Sequence, residues 1–169
     1  MEGGGIDESK DEGIWAGKPG DLRLIAREGD AAPGAPDGTL FSGFGTFAIN
    51  ASGTVAILGG AGGPATPGIW ATDDAGQLQL VALTDTRAKI GDQEVTTTGL
   101  FMLGHSGGQD GRGTSLNDND ELVFTAIFDG LSTIVRTPLR RFVVNSTADT
   151  PDPTPGDGDP STGGNNSQG

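Results

Sequence analysis

The chain has 169 residues, of which 31 are glycine, 10 are proline and 33% are hydrophobic, so the part able to form a core is small. Ten Lys and Arg against 23 Asp and Glu give a net charge of −13, which repels nucleic acid and anionic membrane surfaces. With no cysteine there is no disulfide, thiolate zinc site or cysteine nucleophile, and no apolar run approaches the roughly 18 residues that cross a bilayer.

Residues 1–12, MEGGGIDESKDE, are polar and glycine-rich and read as a flexible acidic leader. They are acidic where a signal peptide is basic and then apolar, so the signal of an exported parent is expected outside this chain. Residues 13–145 carry short apolar segments rich in β-branched side chains, separated by Gly, Pro, Asn and Asp, the signature of strands and turns. The strongest strand candidates are Leu22 to Glu28, Thr46 to Asn50, Thr54 to Gly59, Gln77 to Leu83, Glu121 to Phe128 and Thr133 to Thr137. The run Val55 to Leu58 does not alternate, which predicts a strand covered on both faces. Residues 146–169 consist mainly of Pro, Gly, Asp, Ser, Thr and Asn and read as a disordered tail or linker.

The segments recur. Gly13-Ile14-Trp15-Ala16 returns as Gly68-Ile69-Trp70-Ala71 at a spacing of 55, and DLRLIA from Asp21 returns as QLQLVA from Gln77 at 56. Leu40-Phe41 pairs with Leu100-Phe101, and Asn50-Ala-Ser-Gly53-Thr-Val-Ala-Ile57 pairs with Asn117-Asp-Asn-Asp120-Glu-Leu-Val-Phe124 at a spacing of 67. The additional residues of the second copy are assigned to loops around Lys89 to Thr98 and Gly104 to Ser115. The copies run 13–67 and 68–131, and a partial third, 132–145, opens at Ile134-Val-Arg-Thr. In the Asn-x-x-Gly element, Asn50 opens a type I turn and Gly53 supplies a positive φ, while Asp120 takes the glycine's place in copy two.

A GIW start followed by Asn-x-x-Gly-x-x-Ala-Phe resembles the bacterial exported tandem-repeat family of choice-of-anchor type named for its NxxGxxAF motif, over residues 13–144. Copy one departs with Ile57 for Phe, and copy two with Asp120 for Gly and Val123 for Ala. The resemblance implies an all-β chain of two four-stranded antiparallel propeller-like blades plus a partial third, in an extracellular or cell-surface setting. Trp15 and Trp70 are then matching core residues. Two and a half blades cannot close a ring, so self-association or packing on further repeats is expected.

The segments that look like chemistry fail on their own terms. Gly104-His105-Ser106-Gly107-Gly108 fits the G-x-S-x-G elbow, but no helix can follow and the only histidine lies inside the motif. Gly60-Ala61-Gly62-Gly63-Pro64-Ala65 fits the dinucleotide fingerprint, yet Pro64 and Pro67 forbid the helix that would hold a pyrophosphate. Asp110, Asp118, Asn119, Asp120 and Glu121 offer oxygen ligands of the kind calcium takes, without the register of a calcium loop. No pair of carboxylates is placed for glycoside hydrolysis. The expectation is a non-catalytic structural or interaction module without cofactor. The rivals are a glycan- or calcium-binding module using Asp118, Asp120 and Glu121, and more remotely a hydrolase using Ser106.

Overall fold

In the computed structural model, residues 10–63, 65–90, 92–103 and 115–139 are described. Every regular element among them is a strand: β1 (Gly13–Lys18), β2 (Asp21–Arg27), β3 (Phe41–Ile49), β4 (Val55–Ala61), β5 (Thr66–Thr72), β6 (Leu78–Leu83), β7 (Arg87–Ile90), β8 (Gln93–Phe101), β9 (Glu121–Phe128) and β10 (Leu131–Pro138). They form three antiparallel sheets: β1-β2, then β3-β4-β5-β6, then β7-β8-β9-β10.

Short hairpins decide which strands share a sheet. Gly20 and Gly62 have φ near +86° and +83°, and Asp129-Gly130 has φ of 47° and 86°, the paired positive values of a type I′ turn. Each reverses the chain within a few residues and holds the flanking strands side by side. The long segment between β2 and β3 instead carries the chain from one sheet to the next.

The sheets stack face to face with β3-β4-β5-β6 in the middle. One face of this middle sheet places Val55, Ile57, Ala61 and Trp70 against Ile14, Ala16, Ala26 and Ile25 of the β1-β2 ribbon. The other places Ala48, Ala56, Ile69 and Ala71 against Leu100, Leu122, Phe124 and Phe128 of the third sheet. Because β4 is covered from both sides, its consecutive residues Val55, Ala56 and Ile57 are all buried, as the unbroken apolar run predicts. β9 is covered on one side only, so burial alternates along it: Leu122, Phe124, Ala126 and Phe128 are buried, and Val123 is exposed.

Three expectations need correction. A copy read from sequence is not a sheet: the middle sheet takes two strands from residues 13–67 and two from 68–131, and the incomplete sheet is the first. The reason is the Gly62 hairpin, which makes the last strand of one copy the neighbour of the first strand of the next. Second, Lys89 to Thr98 contains no insertion but the β7-β8 hairpin. Phe41 faces Ala61 and Gly43 faces Gly60 in β3-β4, just as Thr97 faces Phe128 and Gly99 faces Ile127 in β8-β9, with the same register shift after the first pair. Phe41 therefore corresponds to Thr97, not to Phe101. The spacing stays at 56 through Leu100 and reaches 67 by Leu116, whose pairing with Leu122 repeats that of Ile49 with Val55, so the eleven surplus residues all lie between. Third, Glu12 is tied down: its backbone oxygen accepts from Glu28 N at 3.0 Å and its Oε2 from Phe44 N at 3.0 Å. The tail, residues 146–169, lies outside the described residues.

Trp15 and Trp70 have the same place in their strands and different surroundings. Gly13 pairs Arg27, Ile14 pairs Ala26 and Trp15 pairs Leu24, with a bulge after Ile14; Gly68 pairs Leu83, Ile69 pairs Ala82 and Trp70 pairs Leu80, with a bulge after Ile69. Each ring lies over the glycine two residues before it. Trp70 is fully buried at 0% exposure, edge-on to Phe41 at 4.9 Å, with its Nε1 donating to Pro33 O at 2.9 Å. Trp15 is 55% exposed, so the expectation that both rings are core holds for Trp70 only. The ribbon has no strand beside β1 among the described residues, whereas β5 has β4.

Candidate functional site

The most constrained polar arrangement in the described residues joins two turns from different sheets. Residues 50–54 connect β3 to β4, and residues 117–121 lead into β9. Each is built by its asparagine. Asn50 Oδ1 accepts from Thr54 N at 2.9 Å and Asn117 Oδ1 from Glu121 N at 3.0 Å, while Gly53 N donates to Asn50 O and Asp120 N to Asn117 O, both at 3.1 Å. The fourth residue needs a left-handed backbone. Gly53 takes φ 89° without a Cβ, and Asp120 takes φ 57°, where Asp is better tolerated than most residues.

Placing Asp rather than Gly there gives the second turn a side chain that reaches the first. Asp120 is only 4% exposed, and its Oδ1 accepts from Asn50 Nδ2 at 2.7 Å, Thr54 Oγ1 at 2.6 Å and Ser52 Oγ at 3.1 Å. Two further bonds run between the turns, from Asn50 Nδ2 to Asn117 O at 2.9 Å and from Ala51 N to Asp118 Oδ1 at 3.0 Å. Sequence reasoning treated Asp120 as a tolerated replacement and missed this role. The signal lay in the coincidence of a carboxylate in one turn with Asn, Ser and Thr in its counterpart.

The three carboxylates considered for calcium do not converge. Asp118 and Asp120 bond the facing turn, while Glu121 bonds Asn117 Nδ2 at 2.8 Å and pairs with Arg136. Asn117 and Arg136 hold the Glu121 carboxyl below the usual glutamate range. No group of three or more His, Cys, Asp or Glu able to hold a metal occurs among the described residues. Phe124 is buried between the middle and third sheets and faces Val135, the position that Trp70 holds opposite Ile57.

Gly60 to Ala65 leads from β4 across a tight hairpin into β5, so the glycine fingerprint precedes a strand and no helix. Asp110 and the Gly104 to Gly108 segment, with His105 and Ser106, lie outside the described residues. Among the described residues no helix is long and apolar enough to cross a membrane.

The arrangement defines an all-β protein of stacked antiparallel sheets locked by paired turns. The chain belongs to DUF7453, a family of unknown function whose model matches residues 1–135. No curated protein and no solved structure matches it.

Proposed function

We propose that the chain is a non-catalytic structural or interaction module of propeller-like repeats, from an exported bacterial protein displayed at the cell surface. The observation that carries this reading is the recurrence of the same strand registers along the chain. Trp15 and Trp70, Gly43 and Gly99, and Ile49 and Leu116 each hold one position in successive sheets. The polar turn residues Asn50, Asn117 and Asp120 bond one turn to the other. Such an arrangement builds a surface from repeated units. The exported setting rests on the likeness to the NxxGxxAF repeats.

Hydrolysis of short-chain p-nitrophenyl esters tests the catalytic rival. The expected result is no turnover above the buffer blank and no difference between the wild type and Ser106→Ala. Turnover abolished by that substitution would overturn the proposal. For the calcium rival, the wild-type melting temperature is expected to be the same in millimolar calcium and in chelator; a rise with calcium would favour a binding module.

A further inference from the structure

The middle sheet shows what the first sheet lacks. We infer that the free edge of β1 is a docking site for a β-hairpin of the β3–β4 kind, supplied by another repeat, which pairs antiparallel to β1 and covers Trp15 and Ile49. The inference rests on the repeat-module reading and adds to it the place, direction and chemistry of the contact.

Two pairs of matched positions carry the argument. Trp70 is 0% exposed and Trp15 is 55% exposed; Leu116 is 2% exposed and Ile49, at the same register, is 50% exposed. In both pairs the exposed member borders β1. Trp15, Ile14, Leu22, Phe47, Ile49 and Val55 line an open groove of about 430 Å³ along that edge. Where β4 lies beside β5, Ile57 faces Trp70, Leu58 faces Ile69 and Gly59 faces Gly68. The occupant is specified by this register: an apolar branched residue opposite Trp15 and a glycine opposite Gly13. The glycine belongs to the hairpin's own packing, since a Cβ at Gly59 would come within 3.0 Å of Gly43 O and 3.2 Å of the Phe44 ring.

The leader meets one of these requirements and not the other: Gly4 stands nine residues before Gly13 as Gly59 stands before Gly68, but the apolar residue is missing. Ile57 stands thirteen residues before Trp70, and thirteen before Trp15 stands Glu2, a carboxylate where the seat calls for an aliphatic side chain. Exposed main-chain groups on β1 supply the pairing, and side chains in the groove supply the preference, as in strand addition generally.

The test is a lengthened chain in which Glu28 to Pro67 replaces Met1 to Glu12, so that a second copy of β3-β4 precedes β1. The junction keeps its main-chain contact, since Pro67 O accepts from Thr84 N as Glu12 O accepts from Glu28 N, and loses only the Glu12 side-chain bond to Phe44 N. Both proteins carry 5-fluorotryptophan, and Trp15→Phe assigns the two fluorine resonances. In the parent chain, which is expected to be monomeric, the Trp15 resonance should shift between H2O and D2O. In the lengthened chain that shift should disappear, and Ile57→Asp in the added copy alone should restore it. A Trp15 resonance that keeps its solvent shift in a lengthened chain with an unchanged Trp70 resonance would overturn the inference. So would burial that survives Ile57→Asp, or a parent dimer with Trp15 already buried. If the lengthened chain does not fold, a peptide of residues 39–63 added to the parent gives the same readout, and no saturable loss of the shift counts against the proposal. A failure here leaves the ester-hydrolysis result, and with it the non-catalytic reading, standing.

Discussion

Asp120 carries two demands at one position, a left-handed backbone and an acceptor for three side-chain donors. They can be separated. Asp120→Gly relaxes the backbone but removes the carboxylate that Asn50, Ser52 and Thr54 share, and is expected to cost about 1–3 kcal/mol in urea unfolding. Asp120→Ala loses the acceptor and keeps the strain, so it should be less stable than Asp120→Gly by about 1 kcal/mol. Asp120→Asn, which retains an Oδ1, should lie closest to the wild type; equal stability of all three variants would show that the clamp contributes nothing. Glu121 gives a pH signature. Asn117 and Arg136 lower its folded pKa, so its contribution is fully present above the ordinary glutamate range and is lost as pH falls through the lowered value. NMR titration of its side chain should show a midpoint below that of a free glutamate, and Arg136→Ala should move the midpoint up.

At the level of strands, identical local geometry leads to different energetics according to what lies alongside. A methyl group added at Gly68 would come within 2.4 Å of the Trp70 ring, and at Gly13 within 2.6 Å of the Trp15 ring. Trp70 is held by Phe41 and Pro33 and cannot move aside, whereas the exposed Trp15 can. Gly68→Ala is therefore expected to lower the urea midpoint strongly and Gly13→Ala hardly at all. Similar losses would contradict the stated difference in packing. Ile57→Ala in β4 should cost about 2–5 kcal/mol, against less than about 0.5 kcal/mol for Phe101→Ala on an open face. Much of this level was legible in the sequence. Glu121 to Phe128 is a strand with those ends, and the unbroken Val55 to Leu58 run marks the doubly covered strand. β8 was not legible, because Glu94 to Thr98 lacks the apolar alternation and the resemblance of Leu40-Phe41 to Leu100-Phe101 drew the match four residues too far. The Asp120 clamp was equally hidden, since its donors lie 66 to 70 residues away and only the fold brings them together.

For the molecule as a whole, the middle sheet is the only one of the three covered on both faces by described residues, so each outer sheet depends on it. In hydrogen exchange, the amides of β4 and β5 should be the slowest and those of β2 and β7 among the fastest; uniform protection would contradict the layered arrangement. A layered chain has consequences for where it may be divided. A cut at Pro67, where the sequence units meet, would separate β4 from β5 and expose Ile57 and Trp70 together. A cut just after Leu83 severs no ladder between paired strands, and one between β2 and β3 breaks only the short Ala31–Leu40 bridge. The natural unit of exchange or truncation in this architecture therefore runs from one inter-sheet crossing to the next, and shortened forms ending at such crossings should remain soluble where those ending at the hairpins aggregate.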